Sequence, residues 1–399
     1  MREQVEREAR AAHEAVARLT DDGVARALDR AAELVGERHD AIAAANAADV
    51  AAAELDEGAL DRLRLDDVRI DALAEQLAQL AVLPPLEREE ESWQLENGLR
   101  VSTRRIPIGA VGANFEARPN VAVDVAGQLL KSLNGAVLRT GGAALHTVTV
   151  LVDQVLRSAL SDAGLPPEAV GLVRSPDREG ARVLVSLPRV LPLVILRGSG
   201  ATTAALAREA AQHGVRTLAH AEGGGVLYIA AKADRAKAEA LVEASLDRLG
   251  VCNRLNLLLV DRAAEVDVLP LLERLGIAVG EPDRLGHEWA NDPDHIASVT
   301  VRTVDSLDEA VALANRETSG LAAAIVTEDP GDAERFLDGY RGTSAFWNAT
   351  TRFTDGFALT GSPETGINVD RVPGPRGPVT YRDLWLRQYR VVGDGTQRR

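Results

Sequence analysis

IPIGAVGA at 106–113, a helical run over 120–132, GAVLR at 135–139, a helical run over 143–163, VGLVR at 170–174 and LPLVILR at 191–197 follow one another in order. Short apolar strands alternating with helices are the rhythm of a parallel sheet with crossover connections, so this stretch predicts an α/β fold. A helix over 202–213 and the strand VRTLAH at 215–220 extend it. A second run of the same kind begins near Cys252. LNLLLV (255–260), ASVTVRTV (297–304), LAAAIVT (321–327) and TSAFWN (343–348) read as strands, and LPLLERLG (269–276) and SLDEAVALANR (306–316) as helices. The boundary between the two runs is expected at Gly250.

Upstream, residues 1–95 read as helical. Val5, Ala9, Ala12, Val16 and Leu19 form one apolar stripe, and Leu73, Leu77, Leu80 and Leu83 form another that Pro84-Pro85 stops. Residues 91–104 read as a hairpin turning at Asn97-Gly98. YRDLWLRQYRVV at 381–392 alternates like an exposed strand that can pair with it.

Composition narrows the function classes. The chain has 399 residues, enough for two or three domains, and a formal charge of −15. That acidic balance argues against nucleic-acid or anionic-membrane partners, so an anionic substrate would need a local group of arginines. One cysteine, Cys252, excludes an intrachain disulfide and a cysteine-based metal centre, and no metal is expected. The opening MREQVEREAR lacks the apolar core of a signal peptide, and no run of about 18 apolar residues occurs, so a cytoplasmic location is the default expectation.

Cys252, in Gly-Val-Cys-Asn-Arg ahead of a buried strand, is either a buried structural cysteine or a nucleophile. Three glycine turns follow strands: Arg139-Thr140-Gly141-Gly142, Arg197-Gly198-Ser199-Gly200 and Glu222-Gly223-Gly224-Gly225. Glycine lets the backbone approach a ligand, and a following helix favours phosphate, although none of the three fits G-x-G-x-x-G. His220, at a strand end, is a candidate base. Arg118 and Arg352 are candidate anion clamps, the second in the polar loop from Asn348 to Phe357.

Together these segments resemble the gamma-glutamyl phosphate reductase family, a branch of the aldehyde dehydrogenase superfamily. The resemblance rests on Pro107-Ile-Gly-Ala-Val-Gly112, Glu116-Ala-Arg-Pro-Asn-Val-Ala-Val-Asp124, Lys131-Ser-Leu-Asn134, Gly250-Val-Cys-Asn253 and Thr351-Arg-Phe-Thr-Asp-Gly-Phe357, in order along essentially the whole chain. It implies two Rossmann-like α/β domains and a small β flap for oligomerisation. A nucleotide-binding domain would comprise 1–90 and 105–249, a catalytic domain 250–378, and the flap 91–104 and 379–395. It implies NADPH-dependent reduction of L-glutamyl 5-phosphate to glutamate-5-semialdehyde, a step toward proline, through a thioester on Cys252. Asn120 would assist the oxyanion. His220 would stand where aldehyde dehydrogenases keep a water-activating glutamate. Arg118, Asn253, Asn348, Arg352 and Thr354 would meet the substrate. Arg139, Thr140, Gly141, Gly142, Gly198, Ser199 and Gly200 would meet NADPH or NADP+. A dimer or tetramer and a partner kinase supplying the acyl phosphate are further expectations.

Several positions depart from the family pattern. Gly225-Val226 replaces a Cys-His pair, Arg254 and Asn256 replace an alanine and a glutamate, Ser199 replaces a glycine, and Leu321 replaces a histidine. Read as pocket changes, they point to an altered acyl phosphate or aldehyde substrate, or to a non-catalytic scaffold, as alternatives.

Overall fold

The computed structural model describes every residue except Ser199, Ala221, Glu222, Arg399 and the His220 side chain. It divides into two compact units. The first comprises Met1–Ala219, Ser362–Gly366 and Val379–Arg399, and the second His220–Gly361 and Ile367–Pro378.

The first unit begins with helices at Arg2–Ala15, Asp21–Glu37, His39–Ala52, Glu57–Leu63 and Asp67–Val82. Thr20, Asp56 and Asp66 start three of them by accepting from backbone amides three residues on, which satisfies donors that the first turn leaves unpaired. Helical structure stops at Val82, short of the expected 95, because prolines follow and the chain turns extended at β1 (Glu89–Gln94). β1 pairs antiparallel with β2 (Arg100–Ile106).

β3 (Ala110–Phe115), β4 (Gly135–Thr140), β5 (Val170–Leu172), β6 (Leu193–Arg197) and β7 (Arg216–His220) form a sheet in the order β5-β4-β3-β6-β7. The strand order reverses at β3, and crevices at the C-terminal ends beside such a reversal are where open α/β sheets bind ligands. β3 and β4 are buried along their whole length, as parallel strands covered on both faces are. The helix Asn120–Lys131 packs Val121, Val125 and Leu129 into the same core.

The second unit has its own sheet. β8 (Gly225–Ile229), β9 (Leu255–Asp261), β10 (Ala278–Gly280), β11 (Ser298–Val304), β12 (Ala322–Val326) and β13 (Ser344–Trp347) lie in the order β10-β11-β9-β8-β12-β13. The boundary expected at Gly250 therefore falls at 219/220 instead. The reason is β8, which is hydrogen-bonded between β9 and β12 and carries the helix Arg235–Ser245 with it. Near the C-terminus β14 (Gly366–Asn368) pairs with β15 (Gly377–Val379), and β16 (Leu386–Val392) returns to pair antiparallel with β2. Among the described residues, no helix is long and apolar enough to cross a membrane.

Candidate active site

In the second unit the chain before β9 is set by glycine. Gly250 has φ +71°, a conformation that L side chains rarely adopt, and it turns the backbone into Cys252. Cys252 is half-buried and rests against Leu321, Ala322 and Ile367. Its carbonyl accepts from the Gly224 amide at 2.6 Å. A Cβ placed on Gly223 would lie 2.6 Å from the Cys252 Cβ, and one on Gly224 3.0 Å from the Asn256 amide. Gly225 leaves equally little room against Thr351 and the Arg254 carbonyl. In the structure this triple glycine is thus the wall behind the cysteine. What this turn approaches closely is the backbone of Cys252 and Arg254.

Around Cys252 the structure gathers Asn253, Arg352 and Thr354. Asn253 donates through Nδ2 to the carbonyls of Arg352 (3.0 Å) and Thr354 (3.1 Å). Arg352 donates to Asn253 Oδ1 and, through Nε, to Asp247 at 2.7 Å. Thr354 is fully buried, and its hydroxyl oxygen has no hydrogen-bond partner. Asn348, at the end of β13 with φ +51°, spends its side chain on the backbone of Thr327. These bonds hold the loop that follows β13. His220 ends β7, and its side chain lies outside the described residues.

Arg254 and Asn256 do something the sequence reading did not anticipate. Arg254 is fully buried and donates to the carbonyls of Ile296 (2.5 Å) and Ser298 (2.8 Å). Among the described residues no carboxylate pairs with it, and burial lowers its pKa to about 10. Asn256 donates to the His287 carbonyl and accepts from the Trp289 amide at 3.0 Å. Both departures from the family pattern therefore grip the 284–298 segment, which in turn sends Glu288 to accept from the Gly223 amide. Arg254→Ala is expected to lower the unfolding free energy by about 2 kcal/mol, because two carbonyls lose a charged donor and a cavity opens. Amides of 284–298 should exchange faster. Unchanged exchange in that segment would show that the grip is unimportant.

In the first unit, register places Asn114 beside Arg139 and Phe115 beside Thr140 at the ends of β3 and β4. Arg139 is buried. It donates to Asn114 Oδ1 (3.1 Å) and to the carbonyls of Pro176 (3.1 Å) and Asp177 (3.0 Å), and burial lowers its pKa. The Thr140 hydroxyl is buried without a partner. A Cβ on Gly142 would press on Pro176, and one on Gly198 would sit 3.3 Å from Glu116 Oε2. Gly141 donates to the Phe115 carbonyl, and Gly200 opens the helix to His213; Ser199 lies outside the described residues. A cleft of about 520 Å³ runs here, lined by Glu116, Arg139, Arg178, Arg182, Ala201 and Thr202 among others. Arg178, an exposed cation of this cleft, carried no signal in the sequence.

Arg118 follows Ala117, a non-glycine residue at φ +45°, and its carbonyl accepts from Val121 at the start of the helix Asn120–Lys131. Asn120 donates to Asp124 Oδ2 at 3.1 Å, one turn along that helix. Asp124 was not singled out from sequence; only its spacing of four from Asn120 marks it. Its Oδ1 is buried without a partner. Burial pushes its pKa up to about 7, with Glu364 adding to the rise, while Arg197 and the Asn120 bond oppose it. With the folded-state value raised, the stability Asp124 contributes is full below about pH 4 and is lost as pH rises through about 7.

The aldehyde dehydrogenase family model matches residues 2–284 and 298–377, and its gap falls on the segment that Arg254 and Asn256 hold. A gamma-glutamyl phosphate reductase of Opitutus terrae is 36% identical over 397 residues, covering 93% of this chain and 92% of its own. The crystal structure of a gamma-glutamyl phosphate reductase from Thermotoga maritima matches with a TM-score of 0.91 at 28% identity, over 99% of this chain and 100% of that one. An engineered glycolyl-CoA reductase with bound NADP+ shares the fold, with a TM-score of 0.71 at 14% identity over 98% of this chain and 96% of that one.

Proposed function

Because the chain belongs to the aldehyde dehydrogenase family, among its gamma-glutamyl phosphate reductases, we propose that Cys252 is the nucleophile with which it reduces L-glutamyl 5-phosphate to glutamate-5-semialdehyde and phosphate. The observation that carries this reading is the glycine wall at 223–225, which leaves room for the backbone of a half-buried Cys252 and nothing more.

The Cys252 thiolate attacks the acyl carbon, a C–S bond forms, and the C–O bond to phosphate breaks. The thioester so formed divides one hard reduction into two easier steps. The fold is one that takes a nicotinamide cofactor, which when bound supplies the hydride that reduces this thioester. The tetrahedral oxyanion then collapses, expelling the Cys252 thiolate and freeing the aldehyde. Backbone amides near Cys252 and the Asn120 side chain stabilise the oxyanion. Arg118 and Arg352 attract the phosphate or the substrate carboxylate, and Asn253, Asn348 and Thr354 fix the loop on which Arg352 sits.

NADPH is the proposed form of the cofactor. The cleft at β3 and β4 suits an extended nucleotide: its walls carry small residues such as Ala201, and Arg139 and Arg178 supply positive charge for a 2′-phosphate. Thr140, Gly141, Gly142, Gly198 and Gly200 are proposed to meet the cofactor too, as is Ser199, which lies outside the described residues. Arg254 and Asn256 serve the 284–298 segment, so these two departures lend nothing to the altered-substrate alternative, which rests on Gly225-Val226, Ser199 and Leu321, the last packed against Cys252. His220 is left as a candidate base that the reductive direction does not require. The flap sheet of β1, β2 and β16 exposes Trp93, Tyr389 and Val391, which suits assembly into a dimer or tetramer. A kinase delivering the labile acyl phosphate is the proposed partner.

The reaction is testable in reverse, which avoids the unstable acyl phosphate. Purified protein with glutamate-5-semialdehyde, phosphate and NADP+ should generate reduced cofactor, and omission of phosphate should stop it. Oxidation that proceeds without phosphate, giving the free acid, would replace this reading with that of an oxidising aldehyde dehydrogenase.

A further inference from the structure

We propose that one face of the flap sheet is a binding site for a phosphate group, held between Arg100 and Arg390 over the hydroxyls of Ser92 and Ser102. It shares no residue with the cleft at β3 and β4 or with the loop around Cys252, and it does not rest on the reaction proposed above.

Register decides which side chains meet. Ser92 lies opposite Ser102, and Ser102 opposite Arg390; Gln94 lies opposite Arg100, and Arg100 opposite Val392. Side chains alternate along a strand, so these six share one face, while Trp93, Val101, Tyr389 and Val391 take the other. The apolar face is the one that suits assembly. The polar face carries a groove of about 380 Å³, whose lining includes all six residues together with Glu89.

Arg104 joins this face from the next pair along, opposite Glu89 and Gln388. Three guanidiniums thus stand against one carboxylate, on a chain whose formal charge is −15. Among the described residues, the side chains of Arg100, Arg104 and Arg390 make no ion pair and no hydrogen bond. Acidic partners are at hand in the same sheet. Arg105 and Arg387, on the apolar face, both reach Glu90, at 3.0 and 3.7 Å, and just ahead of β1 Arg88 pairs with Asp21 at 2.8 Å. The groove's arginines are the ones left with all their donors free. Ser102 is only 7% exposed, and neither its hydroxyl nor that of Ser92 is hydrogen-bonded among the described residues. Guanidiniums flanking a floor of unspent hydroxyls form a donor set for an oxyanion. A phosphate has oxygens enough for both arginines and both serines, where a carboxylate has two.

The experiment titrates the full chain with inorganic phosphate in a calorimeter, at constant ionic strength so that charge screening does not vary. Wild type should bind one more phosphate per chain than the double variant Arg100→Ala/Arg390→Ala. That difference is the same whether or not phosphate also binds near Cys252, so the result stands apart from the reductase reading. Both arginines are exposed, and the variants should fold as wild type does. Each single substitution should weaken the site by about tenfold, through the loss of a charge-assisted bond. Ser102→Ala keeps both charges and should weaken it by about threefold. Glycerol 3-phosphate identifies the source: tighter binding than inorganic phosphate assigns the groove to a phosphate ester, and weaker binding assigns it to the free ion. Equal stoichiometry in wild type and double variant would overturn the proposal. So would an unaltered affinity in Ser102→Ala, which would mean diffuse charge with no built site. A double variant that sediments as a smaller species would overturn it too, because the arginines would then join two copies of the chain.

Discussion

Alanine at position 252 removes the phosphate-dependent reaction, by about 10⁴–10⁶-fold in kcat, while the protein still folds and still binds its cofactor. Cys252 is the one thiol in the chain, so no neighbouring sulfur can take over. The change deletes a single atom from a half-buried side chain packed on Leu321, Ala322 and Ile367, and the stability cost is about 1 kcal/mol. The cleft proposed for the cofactor, at β3 and β4, is lined by residues of the first unit. Mass spectrometry of the wild type quenched during turnover should show an acyl adduct on the peptide containing Cys252, absent from the variant. Activity retained within tenfold would mean that the thiol is not the nucleophile.

A comparable effect is expected from a residue with no side chain. Gly223→Ala puts a methyl group 2.6 Å from the Cys252 Cβ, 2.7 Å from its carbonyl oxygen and 2.8 Å from its Cα. Carbon atoms rest about 3.5–4.0 Å apart, so the two backbones must separate by roughly 1 Å. The cysteine has nowhere to retreat without losing the bond from the Gly224 amide to its own carbonyl. Misplacement of a catalytic group on this scale costs about 100-fold in rate. Steady-state assays should show the loss in kcat with cofactor affinity little changed, and thiol-specific alkylation of Cys252 should change in rate alongside it. Activity within threefold of wild type would show that the wall has slack.

The alternation of strands and helices made the α/β class legible, because fully buried parallel strands are short runs of Val, Ile and Leu bounded by glycine. The first sheet was therefore readable almost strand by strand. The boundary was not. Gly225–Ile229 is a short strand just after β7 in sequence, and nothing local tells it to leave the first sheet; only its pairing with β9 and β12 does. Site residues divide the same way. Cys252 stood out as a chemically distinctive residue in a glycine setting. Arg254 and Asn256 looked like pocket changes because they sit two and four positions from it, yet their partners are backbone groups of the 284–298 segment. Backbone partners leave no trace in a sequence. Asp124 was silent for a related reason: its lone oxygen is defined by what surrounds it in space.

β2 lies between β1 and β16 in the flap sheet, and Leu386–Val392 pair with Arg100–Ile106. On the ribosome these partners are born far apart in time. Synthesis at about 5–20 residues per second leaves β2 with an open edge for tens of seconds after it emerges. The first unit also waits for Tyr381, whose amide donates to Gln128 Oε1 at 2.6 Å, and for the Leu384 carbonyl that receives Asn134. The nascent chain thus carries a hydrogen-bonding edge beside Trp93 that another copy emerging from the same message can capture. Swapped pairing between neighbouring nascent chains is the hazard this topology brings, and Leu386–Val392, made long after β2, are the residues that close it.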